Sequence, residues 1–248
     1  MNTVYILWQR QLKRFYRNKS RVIGSFAQPL LLLVAFGFGF GPVFEQAGQG
    51  SYLQFLVPGI ISMSVLFSSI FSGIELIWDK QFGFLKETLV APVSRLNIMI
   101  GKVLGGATIA VMQGIIILLI SLLFGFKIYN IWFALLSVLA MLITAIIFTA
   151  IGTAIASKLT DMQGFQLLMN LLVMPLFFLS GALFPLNDLP KSISVITSLN
   201  PLTYAVDLIR YFLIGINSFS VVISIIILIT LMIFSVVIAS RLFSRMEV

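Results

Sequence analysis

Charges are so sparse in this chain that long stretches carry none. Arg21 and Glu45 enclose 23 uncharged residues, Glu45 and Glu75 enclose 29, and Lys102 and Lys127 enclose 24. Lys127 and Lys158 enclose 30, Asp161 and Asp188 enclose 26, and Arg210 and Arg241 enclose 30. In the second of these runs Val57 to Ile74 is the apolar part. The hydrocarbon core of a bilayer, about 30 Å thick, takes about 20 apolar helical residues to cross. Six runs reach that length, and none alternates with the period of two that a barrel strand requires. The expected fold is an all-α integral membrane protein with six transmembrane helices, over residues 22–44, 57–78, 99–126, 131–157, 163–184 and 217–240. The whole composition agrees: 60% of the 248 residues are hydrophobic and 10% charged, which leaves no second, soluble domain. Residues 1–248 therefore read as one membrane domain.

Orientation follows from Lys and Arg. With the N-terminus in the cytoplasm, the inner segments hold thirteen of the basic residues and the outer segments only Lys127, Lys191 and Arg210. This bias places both termini in the cytoplasm, as an even number of spans requires. The expectation is a multi-pass protein of the cytoplasmic membrane. The net charge of +8 then points to orientation and anionic lipid rather than to nucleic acid. The first apolar run is too long for a signal-peptide core, so it should remain as a span.

Three segments lie outside the spans. Residues 1–21 carry an amphipathic pattern, with Val4, Leu7, Trp8, Leu12 and Phe15 on one face and Arg10, Lys13, Arg14 and Arg17 on the other. This predicts an interfacial helix with its apolar face in lipid and its basic face toward the headgroups. Residues 79–97 form the most polar internal loop, where Phe82, Leu85 and Leu89 are spaced as one side of a short helix that Pro92 stops. Such a loop is either a solvated connector or a dock for a cytosolic partner. Residues 185–216 on the outer side are punctuated by Pro185, Pro190 and Pro201 and are too apolar for a free loop. They should fold back as an outer re-entrant helical segment between spans 5 and 6, serving as a gate or as a structural plug. Gly101 and Gly105 form a small-residue pair suited to close helix packing within the chain.

The same residues exclude several functions. The sequence has neither cysteine nor histidine, so thiol catalysis, a Ser-His-Asp triad and His/Cys metal sites are out. No charge stands in the middle of a run, which argues against a proton relay or a charged selectivity ring. The single Gly-Lys pair, Gly101-Lys102, has Leu96 in place of the first P-loop glycine and Val103 in place of Ser or Thr, so the chain has no nucleotide site of its own. Directed work by this protein needs energy from another subunit. Without one, the chain would be a non-transport scaffold or regulator that binds a cytosolic partner through residues 79–97.

Three stretches carry a resemblance: Phe55-Leu56-Val57-Pro58-Gly59-Ile60-Ile61; the loop Asp79 to Arg95 leading to Gly101-Lys102; and Phe178-Leu179-Ser180-Gly181-Ala182-Leu183-Phe184-Pro185, followed by Leu189-Pro190 and Asn200-Pro201-Leu202-Thr203-Tyr204-Ala205-Val206-Asp207 with Arg210. The chain resembles the ABC-2 family of transporter permeases over nearly its whole length, and in particular the group with daunorubicin-resistance and nodulation-factor export permeases. The resemblance implies a single permease domain acting as the membrane subunit of an ATP-driven exporter of hydrophobic or amphipathic cargo (a drug, a lipid or a lipid-linked glycan). It implies a second permease copy, surrounding membrane lipids and a cytosolic P-loop ATPase as partners. ATP and Mg would be held by that ATPase and no cofactor by this chain. It implies a coupling helix in residues 79–97, with Asp79, Lys80, Phe82, Gly83, Leu85 and Glu87 as the ATPase-coupling residues. The outer gate would comprise Phe184, Pro185, Asn200, Pro201, Tyr204, Asp207 and Arg210. Gln81 stands where many relatives carry an acidic residue.

Overall fold

The structure, a computed structural model, describes residues 2–46, 50–186 and 190–246; residues 187–189 of the expected outer segment lie outside that range. Every regular element described is a helix. In order these are α1 (Asn2–Arg17), α2 (Lys19–Gln46), α3 (Tyr52–Phe71), α4 (Ile74–Gln81), α5 (Phe84–Val90), α6 (Arg95–Leu123), α7 (Ile131–Lys158), α8 (Met162–Phe178), α9 (Lys191–Leu199), α10 (Pro201–Ile214) and α11 (Val221–Ser244).

Five segments are long and apolar enough to cross a membrane: α2, α3 continued by α4, α6, α7 and α11. The expected fifth span, 163–184, is shorter in the structure. α8 has 17 residues, about 26 Å at 1.5 Å per residue, and the chain then turns through Gly181 in the left-handed region at φ +73°. α8 still joins opposite ends of the bundle. Near its start Trp78 Nε1 points at Met162 Sδ, and near its finish Asn200 Nδ2 donates to Leu176 O at 2.7 Å.

Local chemistry sets most helix starts. Ser94, Asn130, Asp161 and Asn200 each accept a backbone N–H of the helix they precede, which satisfies a donor that has no intrahelical partner. Pro29 and Pro42 in α2 and Pro58 in α3 leave their helices continuous. A carbonyl freed in apolar surroundings finds no bulk water, and such prolines are tolerated in membrane helices where neighbouring helices, Ser/Thr side chains or local adjustments of the turn satisfy it.

α3 is the axis of the bundle. It packs on α2, α6, α7, α8 and α10, whereas α2 and α11 keep broad outward faces. Its expected continuous span, 57–78, is interrupted at Ser72–Gly73, where α4 begins. The reason is tertiary. A Cβ on Gly73 would lie 2.6 Å from Gly152 O of α7, and a Cβ on Gly152 would overlap Ile70 O, so two backbones cross in direct contact. Gly59 meets the Ala182 backbone in the same way and fixes α3 against the turn after α8.

α1 departs from the expected placement. Leu7, Gln11 and Phe15 are buried, and Gly101 and Gly105 of α6 form the groove that receives Leu7 and Gln11. Trp8 Nε1 donates to Thr108 Oγ1 at 3.0 Å. Part of the apolar face thus meets protein rather than lipid, while Tyr5, Ile6 and Tyr16 stay exposed. α1, α4, α5 and the C-terminal end of α11 gather at one end of the bundle, the basic end. There Arg95 at the start of α6 donates to Ser244 O at 2.7 Å and Met246 O at 2.9 Å. α9 and α10 cover the opposite end.

Candidate functional site

The basic end is organised around one carboxylate. Asp79, on the last turn of α4, is 4% exposed and takes Arg10 Nη2 at 2.9 Å, Arg14 Nη1 at 3.2 Å and the buried Lys102 ammonium of α6. Beside it the buried Glu75 pairs with Arg21 at the start of α2. A carboxylate this deeply enclosed needs paired charge and hydrogen bonds to remain ionised. The Arg10 guanidinium also lies 3.4 Å from the centre of the Phe84 ring, and Arg14 sits over Trp78 at 5.0 Å. One cluster therefore ties α1, α4, α5 and α6 together.

The structure turns Asp79, Lys80 and Leu85 of the expected coupling set toward the body of the chain. Asp79 faces inward to the cluster. The Lys80 ammonium donates to Ala156 O, Ser157 O and Leu159 O at 2.7–3.1 Å, closing the carbonyl end of α7. Leu85 is fully buried. Physically, a short amphipathic helix on a larger body must turn its apolar stripe inward, and Leu85 belongs to that stripe. Gly83 carries φ +76°, which allows the tight turn between α4 and α5. Phe82 and Glu87 do face outward. With Lys86 and Val90 they form an exposed patch in which Phe82 is 79% and Val90 86% accessible. Lys86, Leu89 and Val90 continue into a shallow groove with Arg95 and Met246.

The residues of the expected outer gate are brought together, but mostly as a lock. Asn200 caps α10 through Leu202 N at 2.9 Å and ties it to α8 through Leu176 O. The Tyr204 hydroxyl donates to Ser198 O at 2.7 Å, so α9 and α10 are pinned across the Asn200-Pro201 corner. Asp207 and Arg210, three residues apart, take separate partners. Asp207 accepts from Ser218 N at 2.6 Å and Phe219 N at 3.2 Å. Arg210 Nη2 donates to Gly181 O at 2.9 Å, and its guanidinium stacks 4.0 Å from the Phe55 ring centre. Pro201 is half-buried at the corner. Phe184 is exposed and Pro185 half-buried, and both border a small apolar pocket with Phe40, Phe44 and Tyr52.

Sequence reasoning missed the partners of Asp79 and a cavity between α2, α3, α6 and α8. The signal for the first was present: Lys102 is an isolated charge at the edge of an apolar run, and such a charge seeks an opposite one, here Asp79. The cavity has a volume of about 380 Å³. Its walls include Ser25, Gln28, Ser64, Gln113, Gln166 and Asn170. Among the described residues no cluster of side chains has the makeup of a metal site.

A chain of apolar helices crossing at glycine contacts, with one charged end and a polar-walled cavity, has the form of a membrane transport subunit. Residues 2–214 match the family model described as ABC-2 type transporter, and the chain belongs to that family. Members are membrane subunits of transporters that are not themselves catalytic and that normally pair with an ATPase subunit. Over 208 residues the chain is 33% identical to ycf38 of Porphyra purpurea, covering 83% of this chain and 72% of that protein. It is 28% identical over 214 residues to the inner membrane transport permease YadH of Escherichia coli (strain K12), covering 85% and 82%. It is 27% identical over 214 residues to nodulation protein J of Rhizobium leguminosarum bv. viciae, covering 85% and 79%.

Proposed function

We propose that this chain is the membrane subunit of an ATP-driven exporter in the cytoplasmic membrane, with six spans, α8 being the short one, and both termini in the cytoplasm. The observation that carries this reading is the exposed patch of Phe82, Lys86, Glu87 and Val90 on a helix bonded to the membrane body. Two apolar side chains as exposed as Phe82 and Val90, beside two opposite charges, suit a groove on a cytosolic protein. A P-loop ATPase that binds ATP and Mg is the partner the family favours. Its closure would push α5. The Phe84–Arg10 contact and the Asp79 cluster would carry that push to α1 and α6, so that ATP binding and permease conformation share a coupling free energy.

The outward faces of α2 and α8 carry Gln28, Gln166 and Asn170. Polar side chains facing lipid are costly, which favours a second permease copy across a shared path for hydrophobic or amphipathic cargo. At the outer end, α9 and α10 act as a re-entrant pair. Asn200, Tyr204, Asp207 and Arg210 hold the pair in place, and Phe184 and Pro185 form the edge that moves.

The test is affinity purification of the tagged chain from its native membranes in mild detergent, with mass spectrometry of the partners. The expected result is a stoichiometric P-loop ATPase that is lost when Phe82 and Val90 are both changed to Glu, while the chain itself stays folded. Recovery of intact chain without an ATPase, even after crosslinking in membranes, would favour the scaffold reading instead.

A further inference from the structure

The hollow where α1 turns into α2 carries more positive charge than the chain neutralises. It has a volume of about 840 Å³ and is lined by Arg10, Lys13, Arg14 and Arg17 of α1 and Lys19 of α2, with no carboxylate in its walls. Asp79 lies behind it and is already shared by Arg10, Arg14 and Lys102. Lys13, Arg17 and Lys19 are exposed and form no ion pair with a described residue. The four basic residues of α1 recur at i, i+3, i+4 and i+7, so they form a row on one helix face, about 10 Å long at 1.5 Å per residue. Like charges in such a row repel one another unless an anion joins them. Arg10 and Arg14 serve both sides. Each has guanidinium N–H groups beyond those spent on Asp79, and each also lines the hollow.

The apolar neighbours fix the level of this hollow. Tyr5, Ile6 and Tyr16 of α1 are exposed, and so is Ile23, one turn beyond Lys19 in α2. Exposed tyrosine suits the boundary between headgroups and acyl chains, and the step from Lys19 to Ile23 marks the passage from one to the other. An acidic protein surface would leave these apolar groups in water, whereas a lipid covers them with its tails.

We infer that this hollow is a binding site for one anionic phospholipid whose headgroup carries two phosphates. Arg17 and Lys19 at the corner hold one phosphate, and Arg10, Lys13 and Arg14 hold the other. Diffuse attraction of a basic face to a charged surface has no fixed stoichiometry; this site takes one lipid per chain. The inference goes beyond the exporter reading and needs only a membrane. Because Arg10 and Arg14 bind both the headgroup and Asp79, an occupied site ties α1 to lipid on one side and to α4 on the other.

The test uses the purified full-length chain carrying Trp132→Phe, in phosphatidylcholine nanodiscs at one fixed ionic strength. Energy transfer from Trp8 and Trp78 to a pyrene-labelled tail is the readout. Three probes share that tail and differ in the head: diphosphatidylglycerol, phosphatidylglycerol and uncharged diacylglycerol. The two-phosphate probe should saturate at one per chain, about tenfold or more tighter than the one-phosphate probe, with no saturable binding of the uncharged one. Lys13→Gln, Arg17→Gln and Lys19→Gln together should weaken it about a hundredfold, at about fivefold for each basic group beside an anionic headgroup. Lys158→Gln, Arg241→Gln and Arg245→Gln together remove the same charge from exposed positions at the same end and should weaken it no more than about threefold. Equal affinity for the one- and two-phosphate probes overturns the inference in the parent chain, with no dependence on a variant. Equal weakening by the two triple variants overturns it as well, since general attraction then suffices. Displacement of the probe by the deacylated headgroup at the concentration that the lipid itself requires would reassign the site to a soluble phosphate compound. Loss of the co-purifying ATPase in the Lys13/Arg17/Lys19 variant, with lipid binding unchanged, would give the hollow to the ATPase instead. Two-phosphate selectivity in a chain that recruits no ATPase upholds this site and removes the exporter reading.

Discussion

Replacing Asp79 by Leu should be among the most damaging single changes at the basic end, and the damage should be repaired by a second change. The Asp79–Lys102 pair is enclosed on both sides, with side-chain exposures of 4% and 6%, while Arg10 and Arg14 are 31% and 30% exposed. Removing one partner of a buried pair leaves the other charge uncompensated, at a cost of about 3–5 kcal/mol. Half-exposed pairs of the Arg10 type contribute about 0.2–1 kcal/mol each. Asp79→Leu should therefore destabilise the chain by about 4 kcal/mol, mostly through the orphaned Lys102. Lys102→Met should cost less, about 1–2 kcal/mol, because Asp79 keeps two guanidinium partners at 2.9 and 3.2 Å. The double variant removes both enclosed charges of the pair and should fall within about 2 kcal/mol of the parent, giving a coupling energy of about 3 kcal/mol. Arg10→Gln should cost no more than about 1 kcal/mol. Unfolding the purified chain in mixed micelles with increasing dodecyl sulfate measures these values, with the fluorescence of Trp8 and Trp78 as local reporters. A double variant as unstable as the sum of the singles, or an Arg10→Gln cost equal to that of Asp79→Leu, would refute the reasoning.

Other outcomes follow from packing and capping. Gly152→Ala should destabilise by about 3 kcal/mol or more, since its Cβ meets the Ile70 backbone rather than a movable side chain, whereas Gly39→Ala, with open space around it, should be neutral in the same titration. Asn200→Ala removes the cap of α10 and leaves Leu176 O without its donor, so a loss of about 1–2 kcal/mol is expected, together with faster proteolysis between α9 and α10. A cysteine introduced at Phe184 should react with an impermeant maleimide in resting cells, and one at Asn200 should not; the opposite pattern would contradict the lock formed by α10.

The apolar runs marked the long helices well because burial in lipid and burial in protein both require the same residues. That equivalence is also what hid the rest. The stripe on α1 was visible at Leu7 and Phe15, but periodicity says which face is apolar, not whether it meets acyl chains or the glycine groove of α6. The break at Ser72–Gly73 shows in the sequence only as a Ser-Gly pair inside an apolar run, while the backbone it meets, Gly152, is about 80 residues away. Conversely Pro29, Pro42 and Pro58 look like breaks and are not. In the loop, Phe82 and Leu85 share one side by spacing, yet Phe82 lies outward and Leu85 is buried, and Asp79 and Lys80 are drawn inward by partners on α1, α6 and α7 that only the folded chain brings near.

The position of Asp79 in the chain has a consequence for biosynthesis. It is made 69 residues after Arg10 and 23 residues before Lys102. When α4 leaves the ribosome, the arginines of α1 have already been made and can reside at the membrane surface, so the carboxylate has counter-charges from its first moments. Lys102 arrives last, at the leading edge of the third apolar segment, and finds its acceptor already in place. On this order each ion has a counter-charge within reach when it arrives, and nascent chains ending after Asp79 but before α6, which lack Lys102 and the groove for Leu7 and Gln11, should leave α1 loosely attached.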